Sequence, residues 1–321
     1  MTTERMTRRS LLCSAVVGAV GGTIADLAAA GNSNQAAHPK RWKTAVGLNG
    51  FESVRSYGYR VDLQEVLEFI RVCGFDGVEL VDWPEPYPQT EEEARAVKRM
   101  YDRLGLEIMT LQGRGLDGDC GSPDAASRSR YLVHLKHQVD LLHGWGCQFI
   151  ALWSGGPVGP GSEEFCKRTA DTWAKLTEYA WQYGMYVTTE PEPVMATHTF
   201  ELLHKLVNWI DSPHFYVTFD PSHSTVMGNG DPMSFLREFR GRIGHVHFTD
   251  TDGTCRGEGG TSKHLTLGDG KLDLLALLRE LKDQGYDKWI MLDLWMLPDI
   301  YRGAYVGKKR LDALLDTLFA A

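Results

Sequence analysis

The sequence predicts a (β/α)8 barrel, and three observations carry that expectation. Eight short apolar runs of strand length recur along the chain, with amphipathic stretches of helix length between them. Glycines close five of those helical stretches just before the next run. Four successive runs in the C-terminal half each carry a carboxylate or imidazole at or near the end, and strand ends at one face are where a parallel barrel holds its site.

The runs cover residues 45–48, 77–81, 107–111, 148–152, 186–189, 216–219, 244–248 and 289–292. Residues 63–70 place apolar side chains at helical spacing, and so do 94–104, 130–142, 165–183, 199–210, 232–239 and 272–284. Gly74, Gly105, Gly146, Gly184 and Gly285 stand before the second, third, fourth, fifth and eighth runs. A glycine there supplies the left-handed cap that turns the chain back to the sheet. The competing architecture is a doubly wound open sheet, marked by G-x-G-x-x-G after the first strand. Gly47-Leu48-Asn49-Gly50 does not have that form.

The chain has 321 residues, 43% of them hydrophobic, and a net charge of −8. The balance is acidic and no extended Lys/Arg-rich segment occurs, which argues against nucleic acid as a partner. The first thirty residues read as a twin-arginine signal peptide: Arg8-Arg9, an apolar stretch from Leu11 to Ile24, then Ala28-Ala29-Ala30 as a cleavage site. The expected organisation is a signal peptide over 1–30, a linker over 31–43 and a catalytic barrel over 44–321. The mature protein is expected in the periplasm or outside the cell. No apolar run in the body reaches the ~20 residues that span a bilayer, so no stable membrane insertion is expected after cleavage. Association into a homo-oligomer is compatible with the composition. Cys73, Cys120, Cys147, Cys166 and Cys255 follow the signal, none in C-x-x-C, so a zinc knuckle is not expected. One disulfide among them is compatible with an oxidising compartment.

The four polar residues are Glu190 after Tyr186–Thr189, Asp220 after residues 216–219, His247 within 244–248 and Asp293 after 289–292. A charge at the end of a buried strand is costly unless it meets a partner. Carboxylates with a histidine at one barrel mouth make a divalent metal site. Glu192 lies two residues beyond Glu190 and is expected at the same mouth; as lone residues both glutamates would read as surface loop. Asp220-Pro221-Ser222-His223 puts a histidine three residues after the aspartate, with a helix N-cap or Asx-turn as the plain alternative. His245 and His247 alternate to one face, with His247 nearer the strand end as the ligand and His245 as support. His264 opens a glycine-containing loop that could cover the mouth, with an ordinary surface loop as the alternative. Trp83, Trp153 and Trp295 follow strand ends and are expected as aromatic walls for a sugar.

Strand-Glu-Pro, strand-Asp-x-x-His, His-x-His-x-x-Asp and an acid on the last strand together resemble the xylose isomerase-like barrels, the sugar phosphate isomerases and epimerases. The resemblance runs from Thr44 to the C-terminus. It implies a divalent metal (manganese, cobalt, magnesium or zinc) held by Glu190, Asp220, His247 and Asp293, with His223 helping to hold substrate. The chain departs from the family pattern at three places. Asp293 stands where the last ligand is usually glutamate. Gly253 and Ala196 stand where ketose 3-epimerases carry an arginine and a substrate-binding glutamate. The His264 loop is more like the dehydratase and endonuclease branches. The second and third strands lead into Asp82 and Gln112 rather than the histidines of the DNA-repair enzymes.

The expected function is a metal-dependent isomerase or epimerase acting on a sugar, polyol or glycoside through an enediolate. Glu190 or Glu192 would serve as base, Asp293 as the opposite acid and His223 as the group orienting a hydroxyl. Two alternatives stay open. One is a lyase of the same family, a dehydratase or a 3-keto-glycoside eliminating enzyme. The other is a secreted carbohydrate-binding protein.

Overall fold

The computed structural model describes residues 41–80, 88, 90–113, 118–227, 230–257 and 260–320. The signal-peptide and cleavage-site expectations, Asp82 and Trp83 lie outside the described residues. Eight parallel strands close into a barrel in chain order: β1 (Thr44–Gly47), β2 (Gly77–Leu80), β3 (Glu107–Gly113), β4 (Phe149–Leu152), β5 (Tyr186–Thr189), β6 (Phe215–Phe219), β7 (Ile243–Phe248) and β8 (Ile290–Leu292). Closure is made where Ala45 of β1 pairs with Met291 of β8. The helices are α1 (Leu48–Ser53), α2 (Leu63–Cys73), α3 (Glu91–Leu104), α4 (Ala125–Leu142), α5 (Ser162–Trp181), α6 (Phe200–Ile210), α7 (Pro221–Val226), α8 (Pro232–Glu238), α9 (Leu274–Asp283) and α10 (Ile300–Phe319).

Local chemistry sets the ends of these elements. Thr90 opens α3 with a capping box, its hydroxyl accepting from the Glu93 N–H while the Glu93 side chain accepts from the Thr90 N–H. Asp62, Asp124 and Thr199 cap α2, α4 and α6 through their side chains. Gly74, Gly105, Gly146, Gly184 and Gly285 all have φ between 65° and 88°, the left-handed turn read from the sequence.

Three helices differ from expectation. Leu48 begins α1 instead of ending β1, so the first strand stops at Gly47. Pro221 to Val226 form a helical turn rather than a tight turn, with Pro221 in the first turn and Asp220 as N-cap. The last helix, α10, was not expected. Its buried face consists of Ile300, Gly303, Ala304, Gly307, Lys308, Leu311, Leu315 and Leu318. The helical period is present, but glycine, alanine and lysine carry half of it, so a scan for large apolar residues passes over it.

Strand side chains alternate between two environments. Val46, Val78, Leu80, Ile108, Ile150, Leu152, Val187, Val217, Phe219, Val246, Phe248, Ile290 and Leu292 join the main core with the helices. Ala45, Met109, Trp289 and Met291 form a separate small apolar cluster. Further along the strands the alternate positions turn polar: Glu79, Thr188, Thr218 and His245 are fully buried. The Thr188 and Thr218 hydroxyls hydrogen-bond each other at 3.0 Å. A polar interior needs complete hydrogen bonding to be tolerated, and it leads directly to the charged residues at the strand ends. Cys73, Cys120, Cys147 and Cys166 are buried free thiols, and Cys255 is an exposed one.

Candidate functional site

The barrel brings Glu190, Asp220, His247 and Asp293 together: one ligand atom from each lies within 4.8 Å of the others, and all four residues are buried. They come from four adjacent strands, β5 to β8. His247 Nδ1 lies 2.8 Å from Glu190 Oε1 and 3.5 Å from Asp293 Oδ2. The second Glu190 oxygen accepts from the Trp153 indole N–H at 2.8 Å. Asp293 Oδ1 accepts from the Trp295 N–H at 2.9 Å and the Asn49 amide at 3.2 Å. Trp153 and Trp295 therefore meet the acids directly, one by side chain and one by backbone, and both line the cavity.

Asp220 combines the two roles weighed from the sequence. Its Oδ1 caps α7, accepting from the N–H groups of Ser222 and His223 at 2.6 and 3.0 Å. Its Oδ2 is buried without a hydrogen-bond partner. The helical turn also aims His223. Its Nδ1 meets Ser262 Oγ at 2.7 Å, which leaves Nε2 3.6 Å from Glu190 Oε1 and 4.0 Å from Glu192 Oε2. Glu192 lines the cavity and accepts from the Thr261 hydroxyl at 2.7 Å.

His264 is buried, not on the surface. Nε2 lies 3.6 Å from Asp220 Oδ2 and Nδ1 lies 3.6 Å from Asp293 Oδ1, and neither makes a hydrogen bond. Its loop is held by Asp250, whose carboxylate accepts from the N–H groups of Thr251, Gly268, Gly270 and Leu272. A side chain at Gly270 would bring its Cβ to 2.2 Å from Asp250 Oδ1, so the loop wraps on the carboxylate only with glycine there.

The electrostatics show a site short of positive charge. Burial pushes the His264 imidazole pKa down, but Asp220 and Asp293 outweigh it and raise it to about 9. His247 is raised well above the usual value by Glu190 and Glu79 against the same burial cost. Burial raises the Asp293 carboxyl, yet His264 and His247 outweigh that and hold it well below the carboxylate range. Glu190 goes the other way: burial dominates and raises it. Three carboxylates and an imidazole, with an unpartnered Asp220 oxygen and two unpartnered His264 nitrogens beside them, fit a divalent cation by donor set and by unmet valence. The residues that could hold it are Glu190, Asp220, His247 and Asp293, with His264 as a further nitrogen at the same cluster.

One residue was missed from the sequence. Glu79 sits inside β2, fully buried, and receives Gln112, His245 and His247. Burial raises its pKa, but His247 and His245 outweigh it and hold the carboxyl at about 2. The available signal was an acid inside the apolar run Gly-Val-Glu-Leu, which burial makes expensive unless paired. His245 is the support the sequence suggested, but its partner is Glu79. Above the acids the cavity measures about 480 Å³, within the range of small-molecule sites. Its described lining includes Asp119, Glu190, Glu192 and Asp293 and holds no lysine or arginine.

A closed parallel barrel with an acid and histidine cluster at its strand ends defines a class of barrel enzymes. Residues 67–307 match the family model of the xylose isomerase-like TIM barrel, and the chain belongs to that family. It is 23% identical to an inosose dehydratase of Lacticaseibacillus casei over 287 residues, covering 81% of this chain and 92% of that protein. It is 28% identical to a fructoselysine 3-epimerase of Shigella flexneri over 249 residues, covering 73% of this chain and 86% of that protein. Among solved structures, IolI with a bound zinc atom shares the fold at a TM-score of 0.70 and 18% identity, over 87% of this chain and 100% of that one. The relatives thus include both an epimerase and a lyase. At Gly253, φ is +79°, a backbone conformation that L side chains rarely adopt, so an arginine there would be strained.

Proposed function

We propose that this chain is a divalent-metal-dependent enzyme that removes a proton beside the carbonyl of an uncharged sugar, polyol or glycoside, and that it is an epimerase or isomerase. The single observation that carries this reading is the buried convergence of Glu190, Asp220, His247 and Asp293 with an unpartnered Asp220 oxygen. A cation bound there supplies positive charge that polarises neighbouring substrate oxygens and makes the adjacent C–H more acidic. Glu190 is better suited to ligation than to proton transfer, because both its oxygens are already engaged by His247 and Trp153. Glu192 is the better base. Among the described residues its carboxylate receives only Thr261, and it faces the cavity. His223 Nε2 points at the same volume and orients a hydroxyl. Asp293, at the end of β8, is engaged by Trp295, Asn49 and His247 and held ionised, so it is better suited to ligation than to the acid role expected from the sequence. Trp153 and Trp295 wall the cavity against the sugar ring. Sugar phosphates belong to the cytosol, so the export pattern at Arg8-Arg9 supports a substrate without phosphate.

The second reading is a lyase, favoured by the relation to inosose dehydratase over 81% of the chain. Proton removal is shared, and the outcome differs only in whether a β-substituent leaves. The twin-arginine pattern at Arg8-Arg9 supports export and hence a substrate met outside the cytoplasm. The test is incubation of the metal-loaded protein with ketoses, inososes and 3-keto-glycosides in deuterated buffer. Deuterium in recovered or epimerised substrate is the expected result. Release of water or an aglycone selects the lyase. A protein that binds these sugars, holds no metal and exchanges no proton is a carbohydrate-binding protein, and the enzyme reading is then lost.

A further inference from the structure

Glu79 is fully buried inside the barrel, and three nitrogens converge on its carboxyl group. Gln112 Nε2 donates to Oε1 at 2.7 Å. His245 Nε2 lies 2.7 Å from Oε2. His247 Nε2 lies 3.1 Å from Oε1 and 3.3 Å from Oε2. The chain is shaped to bring it there. The register between β2 and β3 shifts between Val78 and Glu79, a local irregularity that re-aims a side chain beside a site. Gln112 lies on the extension of β3 that the sequence did not predict.

His247 thus stands among three carboxylates, one on Nε2 and two on Nδ1. Nε2 faces Glu79, and Nδ1 faces Glu190 at 2.8 Å and Asp293 at 3.5 Å. Gln112 Nε2 can only donate, which makes Glu79 the acceptor of this group and gives the His247 nitrogen turned to it the donor role. A neutral imidazole holding its proton on Nε2 presents a lone pair on Nδ1. That lone pair faces the cluster proposed above to hold a metal. A carboxylate behind a ligating histidine fixes its tautomer and raises its basicity.

We propose that Glu79 is a positioning residue: its carboxylate, braced by Gln112 and His245, sets His247 as the Nε2–H tautomer with Nδ1 free for a cation. For its consequence on metal affinity the proposal rests on the metal site above; for the tautomer it does not. The geometry gives Glu79 no contact with substrate, since it lies among β2, β3 and β7 and is absent from the described lining of the cavity.

The test has two readouts. Long-range proton–nitrogen correlation on the metal-free protein, labelled with ¹⁵N-histidine and taken to a pH at which the His247 ring is neutral, reports the tautomer of His247. Wild type should show the proton on Nε2. Titration with manganese, cobalt or zinc then gives the dissociation constant. Glu79→Gln keeps the shape but places an NH2 against an imidazole N–H. It should disturb the His247 signal and raise the dissociation constant about 10- to 100-fold. Glu79→Asp, which keeps the charge at shorter reach, should recover part of that loss. A wild-type protein with the His247 proton on Nδ1 overturns the proposal, whether or not Glu79→Gln yields folded protein. So does a Glu79→Gln protein with unchanged tautomer and affinity. Two bound metals in wild type, one of them lost in Glu79→Gln, would make Glu79, His245 and His247 a ligand set and also overturn it. A wild-type protein that binds no metal sinks the proposed function alone, because the tautomer still decides the role of Glu79.

Discussion

Glu190 and Glu192 are two residues apart and face different partners, and substitution should separate them. Glu190 shares its oxygens between His247 and Trp153, whereas Glu192 holds only Thr261 among the described residues. Glu190→Gln should therefore lower both bound metal and turnover, with turnover falling by at least ~100-fold. Glu192→Gln should lower turnover by a similar order and leave the metal content of the purified protein unchanged. Elemental analysis beside steady-state kinetics distinguishes the two, and equal metal loss in both variants would refute the division of roles. Asp293→Asn is the matching test on β8. Asparagine keeps an oxygen for the Trp295 N–H, so thermal unfolding of the metal-free protein should move little. Metal affinity should drop, because one of three carboxylates has lost its charge. Full affinity in Asp293→Asn would leave His264 as the fourth donor in its place. Glu190, Asp220, His247 and Asp293 were legible in the sequence for one reason: each closes or nearly closes an apolar run, where a charge must have a purpose. Glu79 was not, because it lies inside its run, where the apolar residues on either side mask it.

At the scale of elements, the loop that carries His264 depends on one side chain. Asp250 gathers four backbone N–H groups from residues 251 to 272 while its own backbone pairs with Leu265. Asp250→Ala would leave those N–H groups without their acceptor, at a cost of about 1–3 kcal/mol for the buried Thr251 donor if it finds no substitute and less for the others, which water can reach. Hydrogen exchange at the amides of residues 265–272 should accelerate, while exchange in β5 and β6 stays slow. Turnover should fall with it, since His264 is placed by this loop. Unchanged protection at Gly268 and Gly270 would show that the loop holds itself. Much of the element pattern was readable. Five left-handed glycines and the strand runs located the β and α segments to within a few residues. What failed had a physical cause. The small residues on the buried face of α10 hide its period, and β3 continues to Gly113 because polar Gln112 still turns inward to Glu79.

For the whole molecule, the site exists only after closure. Its three acids and one imidazole come from the ends of β5 through β8, and β8 is held on its other side by β1 from the opposite end of the described chain. Such non-local pairing forms late and slowly. An unfolded chain threaded through a membrane would carry the ligands separately and meet whatever metal the far side offers. The twin-arginine pattern fits a different order of events, in which the barrel would close, take up the proposed metal in the cytoplasm and then cross folded. Replacing Arg8 and Arg9 with lysine should trap the precursor inside the cell. The trapped protein should contain the folded barrel, with metal bound at the level of the exported form. Cell fractionation, an intact mass locating the mature N-terminus near Gly31, and elemental analysis of both pools test this together. Undiminished export of the double variant would remove the route. A trapped precursor that is folded but metal-free would keep the route and show that the metal is acquired after export.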